Sequence, residues 1–359
     1  MLDSWKRTAA FSFLAPPLAL RAERRYRATR TVTAASIGQV LPSLSIIIPA
    51  RNEAENLQRL LPSLQAIIYP GQYEIIVVDD NSEDATAVVA QIHHARVLSL
   101  GPLTAGWYGK PNACHQGAQI AQGEWLLFTD ADTVHHPEGV AHVIRYAADN
   151  GLDGLSLWLK QETRGLSDRL ALTAAFAGLF AGLPPKHTHL NGQYILLRRD
   201  VYVTSNGFAA VRQEALEDVA LGHHLKKGGY QVPILHGSRI AAVRMYANDR
   251  QMWHGLSRLS ADSLRWSGLS SVLTVIFITA LMSPLLTIAG VLGGRLRWPW
   301  IPVTWGTAVA SIWPWSRRFG SGWLACFAPV GALFVQLAGV WGLINRVLGR
   351  GIPWKGRTV

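Results

Sequence analysis

An apolar run at residues 125–129 stops abruptly at two carboxylates, Asp130 and Asp132, with one residue between them. Trp125, Leu126, Leu127, Phe128 and Thr129 read as a short buried strand. Burying one carboxylate is costly, and two close together cost more unless a cation neutralises them. A D-x-D at a strand end therefore points to a hard divalent metal, which at such a place holds phosphate oxygens. Alone, the same residues also fit an acidic turn, so the rest of the chain has to decide.

The surrounding sequence alternates strand and helix patterns. A short apolar strand at 44–48 precedes a helical stretch at 53–66 with Leu57, Leu60, Leu61 and Leu64 on one face. A second strand at 74–78 is followed by helix at 86–91, a strand at 96–100, a helix at 112–121 and the strand entering Asp130. Such alternation predicts an α/β fold with a mostly parallel sheet flanked by helices. In such sheets ligands bind beyond the carboxyl ends of the strands. Three of these strands end in polar clusters: 49–53 (P-A-R-N-E), Asp79-Asp80, and Asp130-Ala131-Asp132. Their convergence is the main argument against a plain acidic turn.

Charge divides the chain into three parts. Residues 1–41 carry 7 Lys/Arg against 2 acids, and residues 257–359 carry 10 against 1, within a net charge of +11. The middle is slightly acidic, with 17 basic and 20 acidic residues. A nucleic-acid groove would place the basic excess on the folded domain itself, so nucleic acid is not an expected partner. Basic flanks fit an anionic membrane surface better.

The C-terminal third supports that reading. Residues 271–292 and 322–344 are uncharged and long enough to cross a hydrocarbon core of about 30 Å. Pro284 falls inside the first, which lipid-embedded helices tolerate. Between them, 298–315 is shorter, interrupted by proline and bracketed by tryptophans, which favour the headgroup layer. It reads as a re-entrant or interfacial element, or as a third span. Residues 9–20 are apolar but too short to span, and a basic run follows them, which reads as an interfacial anchor. The two cysteines, Cys114 and Cys326, offer no disulfide framework. The expected organisation is a basic interfacial segment at 1–41, a catalytic domain at 42–255 and a membrane-associated region at 256–359 with two or three spans.

The ordered elements S-I-I-I-P-A-R-N-E, V-V-D-D-N-S-E-D-A-T, G-K-P-N-A, F-T-D-A-D and E-A-L-E-D-V-A-L-G resemble the family-2 glycosyltransferases, with the nucleotide-diphospho-sugar transferase fold. The resemblance covers about residues 42–255. G-W-Y-G-K-P, M-Y…W-x-G and the terminal W-K-G-R are similar to the membrane-attached members associated with hopanoid and carotenoid glycosylation. The resemblance implies that Pro49, Ala50, Arg51 and Glu53, with Asp79 or Asp80, cradle the uridine and ribose of a nucleotide-sugar donor. A carboxylate suits ribose because it accepts hydrogen bonds from both hydroxyls; a helix-capping turn is the alternative for Asp79-Asp80. Lys110 sits before a helix expected to start near Asn112, where a point charge and a helix N-terminus both attract phosphate. A solvated loop lysine is its alternative. Asp130 and Asp132 would hold Mg2+ or Mn2+, with Ala131 beside the donor.

Glu217-Asp218 opens the helical pattern of Val219, Leu221 and Leu225. The resemblance makes Asp218 the base and Glu217 an orienting acid; a carboxylate is favoured at a helix start in any case. Asn191, Gly192 and Gln193 precede a strand at 194–197 and either reach the sugar or acceptor or form an ordinary turn. Trp253 would border the acceptor. The histidine doublets, His135-His136 among them, have no zinc-ligand spacing and read as surface residues. The Q-x-x-R-W pattern of processive polysaccharide synthases is absent after the base. The expected activity is an inverting, metal-dependent transfer from a nucleotide-diphosphate donor, UDP-linked with GDP as the alternative, to the hydroxyl or carboxyl of a lipid-soluble acceptor such as a carotenoid or other polyprenoid or glycolipid. It would occur at the cytoplasmic face of the cell membrane, among membrane lipids, in a multi-pass protein. A processive polysaccharide synthase and a catalytically inactive membrane scaffold are the competing readings.

Overall fold

The fold is that of a computed structural model, which describes residues 2–33, 40–184 and 188–358. The chain divides into two compact units, one made of Thr29–Glu162 and Thr188–Met245, the other of Met1–Ala28, Thr163–His187 and Tyr246–Val359.

Among its described residues the first unit contains ten strands: β1 Leu44–Ala50, β2 Tyr73–Asp79, β3 Arg96–Ser99, β4 Trp125–Thr129, β5 Thr133–His135, β6 Gly154–Trp158, β7 Lys160–Gln161, β8 Tyr194–Arg198, β9 Ile234–His236 and β10 Ala241–Val243. Seven form one sheet in the order β3-β2-β1-β4-β8-β6-β9. All of its pairings are parallel except those of β8, which runs against both β4 and β6. The carboxyl ends of β2, β1 and β4 therefore lie side by side, with Ala50 opposite Asp79 in the β1–β2 register. The three polar clusters converge because these strands are neighbours.

The sheet forms where the sequence is apolar on both faces. Ile46, Ile47 and Ile48 of β1 are fully buried, as are Leu57, Leu60, Leu61 and Leu64 of the Ala54–Gln65 helix. Each such side chain contributes roughly 1.5–3 kcal/mol by leaving water. A second sheet, β5-β10-β7, follows the D-x-D turn, with β10 antiparallel to β5 and parallel to β7. Strand β9 starts only at Ile234; Gln231 takes a loop position, its N–H donating to Asp153 Oδ2 at 2.8 Å. The helix expected from Asn112 begins earlier, at Gly109, because Pro111 suits a first turn in which its missing N–H has no partner to lose.

The second unit is helical. Its long helices are Ala15–Ala28, Leu166–Gly182, Asp249–Ser267, Leu269–Leu292, Trp300–Arg318 and Ala328–Val347. Leu166–Gly182 lies within the stretch read as catalytic domain, yet it packs in this unit. Its apolar residues encircle it, so it needs neighbours on every side. Gly331 allows the Leu170 carbonyl to come so close that a Cβ there would stand 2.3 Å from the oxygen. Arg21 donates from Nε to Ala181 O at 2.7 Å and from Nη2 to Leu183 O at 3.0 Å, satisfying carbonyls left open at that helix end.

Ser270–Leu292 and Gly322–Val347 are long and apolar enough to cross a membrane. Pro284 cannot donate to Ala280 O; the hydroxyl of Ser283 does so instead, at 2.7 Å. The region expected to be re-entrant, interfacial or a third span is one unbroken helix, Trp300–Arg318, with Pro314 in its last turns.

Candidate functional site

Lys110 occupies the first turn of the Gly109–Ile120 helix. A cation there opposes the helix dipole, so it has to be held by nearby anions. Its Nζ lies 2.7 Å from Asp130 Oδ1 and 3.1 Å from Glu217 Oε1, and it donates to Gly192 O at 3.3 Å. Burial works against its charge, but Asp130 and then Glu217 hold the ammonium well above the usual lysine range. The side chains of Lys110 and Asp130 remain 31% and 27% exposed, so the cluster is open to a ligand.

The D-x-D turn is pinned from three sides. Asp130 N donates to Gln193 O at 3.3 Å, Thr133 Oγ1 donates to Asp130 O at 2.8 Å, and Arg244 N donates to Asp132 O at 3.0 Å. Ala131 between them is buried. Asp132 Oδ1 is enclosed and has no hydrogen-bond partner. Burial, and after it the charge of Asp130, pushes the Asp132 carboxyl up to about 8. An enclosed acceptor without a donor, one residue from a second carboxylate, fits a divalent cation. Among the described residues no three or more His, Cys, Asp or Glu gather in a metal-holding group. Asp130 and Asp132 would therefore supply two ligands and leave the rest to donor oxygens and water, as Mg2+-type ions commonly accept.

Asp218 lies on the same edge, at the start of the Glu217–Lys227 helix. Its Oδ2 accepts from Gly192 N and its Oδ1 from Val219 N, both at 2.8 Å. Burial, then the adjacent Glu217, raises its carboxyl to about 6, while Lys110 and the two N–H groups work the other way. Gly192 is where these groups meet. A Cβ on it would stand 2.9 Å from Lys110 Nζ, 3.2 Å from Asp218 Oδ2 and 3.3 Å from Glu217 Oε1.

The two other side chains of that turn are engaged within the fold. Asn191 Nδ2 donates to Leu157 O at 2.7 Å and to Gln193 Oε1 at 3.1 Å, and Gln193 O accepts from Thr129 Oγ1 at 3.1 Å. The turn offers the site the backbone of Gly192.

The first two clusters are locked to each other. Arg51 Nη1 donates to Asp80 O at 2.7 Å and to Asn81 O at 2.6 Å, and its Nη2 lies 3.6 Å from Glu83. Its guanidinium thus joins the end of β1 to the end of β2. Asp79 Oδ1 accepts from Ser82 N at 3.1 Å, closing a turn. Asp80 is buried at the strand end. Pro49 lies opposite Val78, and Glu53 N donates to Thr86 Oγ1 at 2.8 Å while Glu53 Oε2 accepts from Asn56 Nδ2. Trp253 belongs to the helical unit, where its ring lies 5.5 Å from that of Phe334 and 6.1 Å from that of Trp341.

His135, read as a surface residue, is buried beneath the turn. Its Nε2 lies 3.2 Å from Thr129 Oγ1 and 3.3 Å from Thr133 Oγ1, and burial lowers its pKa to about 4. The alternation Thr133-x-His135 on a short strand was the available signal, since it puts both side chains on one face.

Residues 45–220 match the family model described as glycosyl transferase family 2. That stretch, just under half of the chain, is similar to a family-2 glycosyltransferase domain. The 4,4'-diaponeurosporenoate glycosyltransferase of Staphylococcus aureus strain USA300 is 31% identical over 214 residues, which cover 57% of this chain and 56% of the relative. The protein of that name in strain MRSA252 is 30% identical over 214 residues, with the same shares covered. The chain thus spans about half the length of the curated relatives it matches. A mannosyltransferase from Pyrobaculum calidifontis, solved in complex with GDP-Man and Mn2+, is similar in fold with a TM-score of 0.58 and 16% identity, over 95% of this chain and 99% of that one.

Proposed function

We propose that the chain transfers a sugar from a nucleotide-diphosphate donor to the hydroxyl or carboxyl of a lipid-soluble acceptor, with inversion at the anomeric carbon. The observation that carries this is the single cluster of Lys110, Asp130, Asp132, Glu217 and Asp218 at the carboxyl edge of the sheet. The family-2 match and the carotenoid-acid glycosyltransferase relatives support the same reading.

The nucleoside would lie over Pro49, Ala50 and Glu53, with Asp79 or Asp80 accepting from ribose hydroxyls. The donor is read as UDP-linked. Arg51 keeps the two strand ends in register for it. Asp130 and Asp132 would hold Mg2+ or Mn2+, which when bound supplies positive charge against the leaving diphosphate. Lys110 adds a fixed point charge for phosphate oxygens. Asp218 takes the proton of an acceptor hydroxyl as the new bond forms, and a carboxyl raised to about 6 is a better base at neutral pH than an ordinary aspartate. An acceptor carboxylate needs no such help and would attack directly. Gly192 keeps Asp218 oriented through its N–H. The apolar Ser270–Leu292 and Gly322–Val347 helices would anchor the protein in the cell membrane, with the catalytic unit cytoplasmic beside the more basic segments.

Membranes carrying the chain, incubated with labelled UDP- and GDP-sugars, Mn2+ and a panel of polyprenoid acids and alcohols, test this proposal. Label is expected in a lipid product carrying one sugar. Label only in free sugar, or in a long polymer, would refute single transfer to a lipid.

A further inference from the structure

An open, charged surface cavity lies in the helical unit, lined by Glu23, Arg27, Pro314, Arg317 and Arg318, with a volume of about 330 Å³. That is within the range of small-molecule sites. Arg318 is fixed in place: Nη1 and Nη2 donate to the two Glu23 oxygens at 2.8 and 2.7 Å. Its guanidinium lies 4.1 Å from the Tyr26 ring and 4.9 Å from that of Trp315. Arg27 Nε shares Glu23 at 2.6 Å. The cavity thus has three guanidiniums against one carboxylate, and Arg317 has no carboxylate partner among the ion pairs of the described residues.

A structural clasp would need only Glu23 and Arg318. Favourable charge at a helix C-terminus accounts for one more arginine, since Arg317 and Arg318 close the Trp300–Arg318 helix. Arg27 pairs with Glu23 four residues before it in the same helix, so each arginine has a local reason for its place; what these leave is three guanidiniums gathered around one carboxylate, a net positive charge facing one cavity. Guanidiniums held rigid by aromatic stacking are suited to oxyanions, particularly phosphate. The cavity sits at the end of a tryptophan-rich helix that packs beside the apolar Leu269–Leu292 helix. That is where headgroups lie if these helices are in a bilayer.

We infer that this cavity binds a phosphate group, that of an anionic phospholipid headgroup or of a free phosphate ester, at a site distinct from the D-x-D cluster. The lipid source rests on the membrane reading above; the phosphate chemistry does not.

The test uses the full chain in a neutral detergent, with thermal unfolding followed during titration with phosphatidylglycerol, phosphatidylcholine or inorganic phosphate. Phosphatidylglycerol is expected to raise the unfolding temperature at lower concentration than phosphatidylcholine. Arg27→Gln with Arg317→Gln, which leaves the Arg318–Glu23 pair in place, should weaken that response about tenfold or more, from roughly 1 kcal/mol per arginine. Arg27→Lys with Arg317→Lys should restore most of it. Inorganic phosphate matching phosphatidylglycerol would assign the site to free phosphate; a response confined to the lipid would assign it to headgroups. An unchanged response in the glutamine variant, or equal response to both lipids, would overturn the proposal. Alkaline-carbonate extraction reports separately on membrane insertion, so the two failures are distinguishable.

Discussion

Lys110 Nζ stands 2.7 Å from Asp130 Oδ1, so the first carboxylate of the D-x-D turn has its counter-charge on the helix that leads into its own strand. The same ammonium reaches Glu217 at 3.1 Å and thereby ties the donor edge to the helix carrying Asp218. Lys110→Gln removes this link and leaves two partly enclosed carboxylates facing each other. Donor affinity should fall by about tenfold to a hundredfold, the loss of one to two charge-assisted contacts. Calorimetric titration with a nucleotide sugar in Mn2+ checks it, and unchanged affinity would remove Lys110 from the donor site.

Asp218→Asn should lower turnover by about 10² to 10⁴ with donor affinity nearly unchanged, the range for a lost acid–base group. This applies to hydroxyl acceptors. Glu217→Gln should do less if Glu217 only orients the site. From an α-linked donor the product should be β-linked, which the anomeric proton coupling in an NMR spectrum reports. Retention of configuration would overturn the single displacement.

The raised Asp218 carboxyl sets the sign of the pH dependence. A base must be ionised, so turnover should be lost as pH falls through about 6 and level off above it. The native state also keeps this proton between the ordinary 3.8 and about 6, where the unfolded chain releases it. The contribution of this group to stability should therefore decrease as pH rises across that window. A turnover profile flat from pH 5 to 8 on a hydroxyl acceptor would contradict the assignment.

Gly192→Ala places a methyl against Lys110 Nζ and the Asp218 carboxylate. The nearest atom belongs to a flexible lysine, so the fold should survive while the Gly192–Asp218 hydrogen bond shifts. Turnover should drop by up to about 10²-fold, as small displacements of reacting groups do, with a thermal midpoint close to that of the parent. A large loss of stability at full residual activity would mean that Gly192 serves packing alone.

Much of this was legible in the sequence because the signals are local. Apolar runs ending in polar clusters marked β1, β2 and β4, and the period of Leu57, Leu60, Leu61 and Leu64 marked a helix face. The meeting of Gly192 with Asp218 was not legible, since it depends on β8 running antiparallel beside β4, a long-range pairing. Arg51 read as a donor contact but closes on backbone carbonyls of the next strand end, a partner that only the register supplies. Asn191 and Gln193 similarly find partners inside the fold. The Leu166–Gly182 helix gave no periodic face from which its unit could be assigned, because it is apolar all round.

The central claim is that the strand-end carboxylates hold the donor through a divalent ion, and the most direct measurement is nucleotide-sugar affinity with and without Mn2+ in the parent chain and in Asp132→Asn. Asp132 Oδ1 is the enclosed, unpartnered acceptor, and the substitution removes one of two charges that would face the cation. The parent should bind donor more tightly with Mn2+, and the variant should fold normally but lose that difference. Equal dependence on Mn2+ in both proteins, or none in the parent, would contradict the assignment.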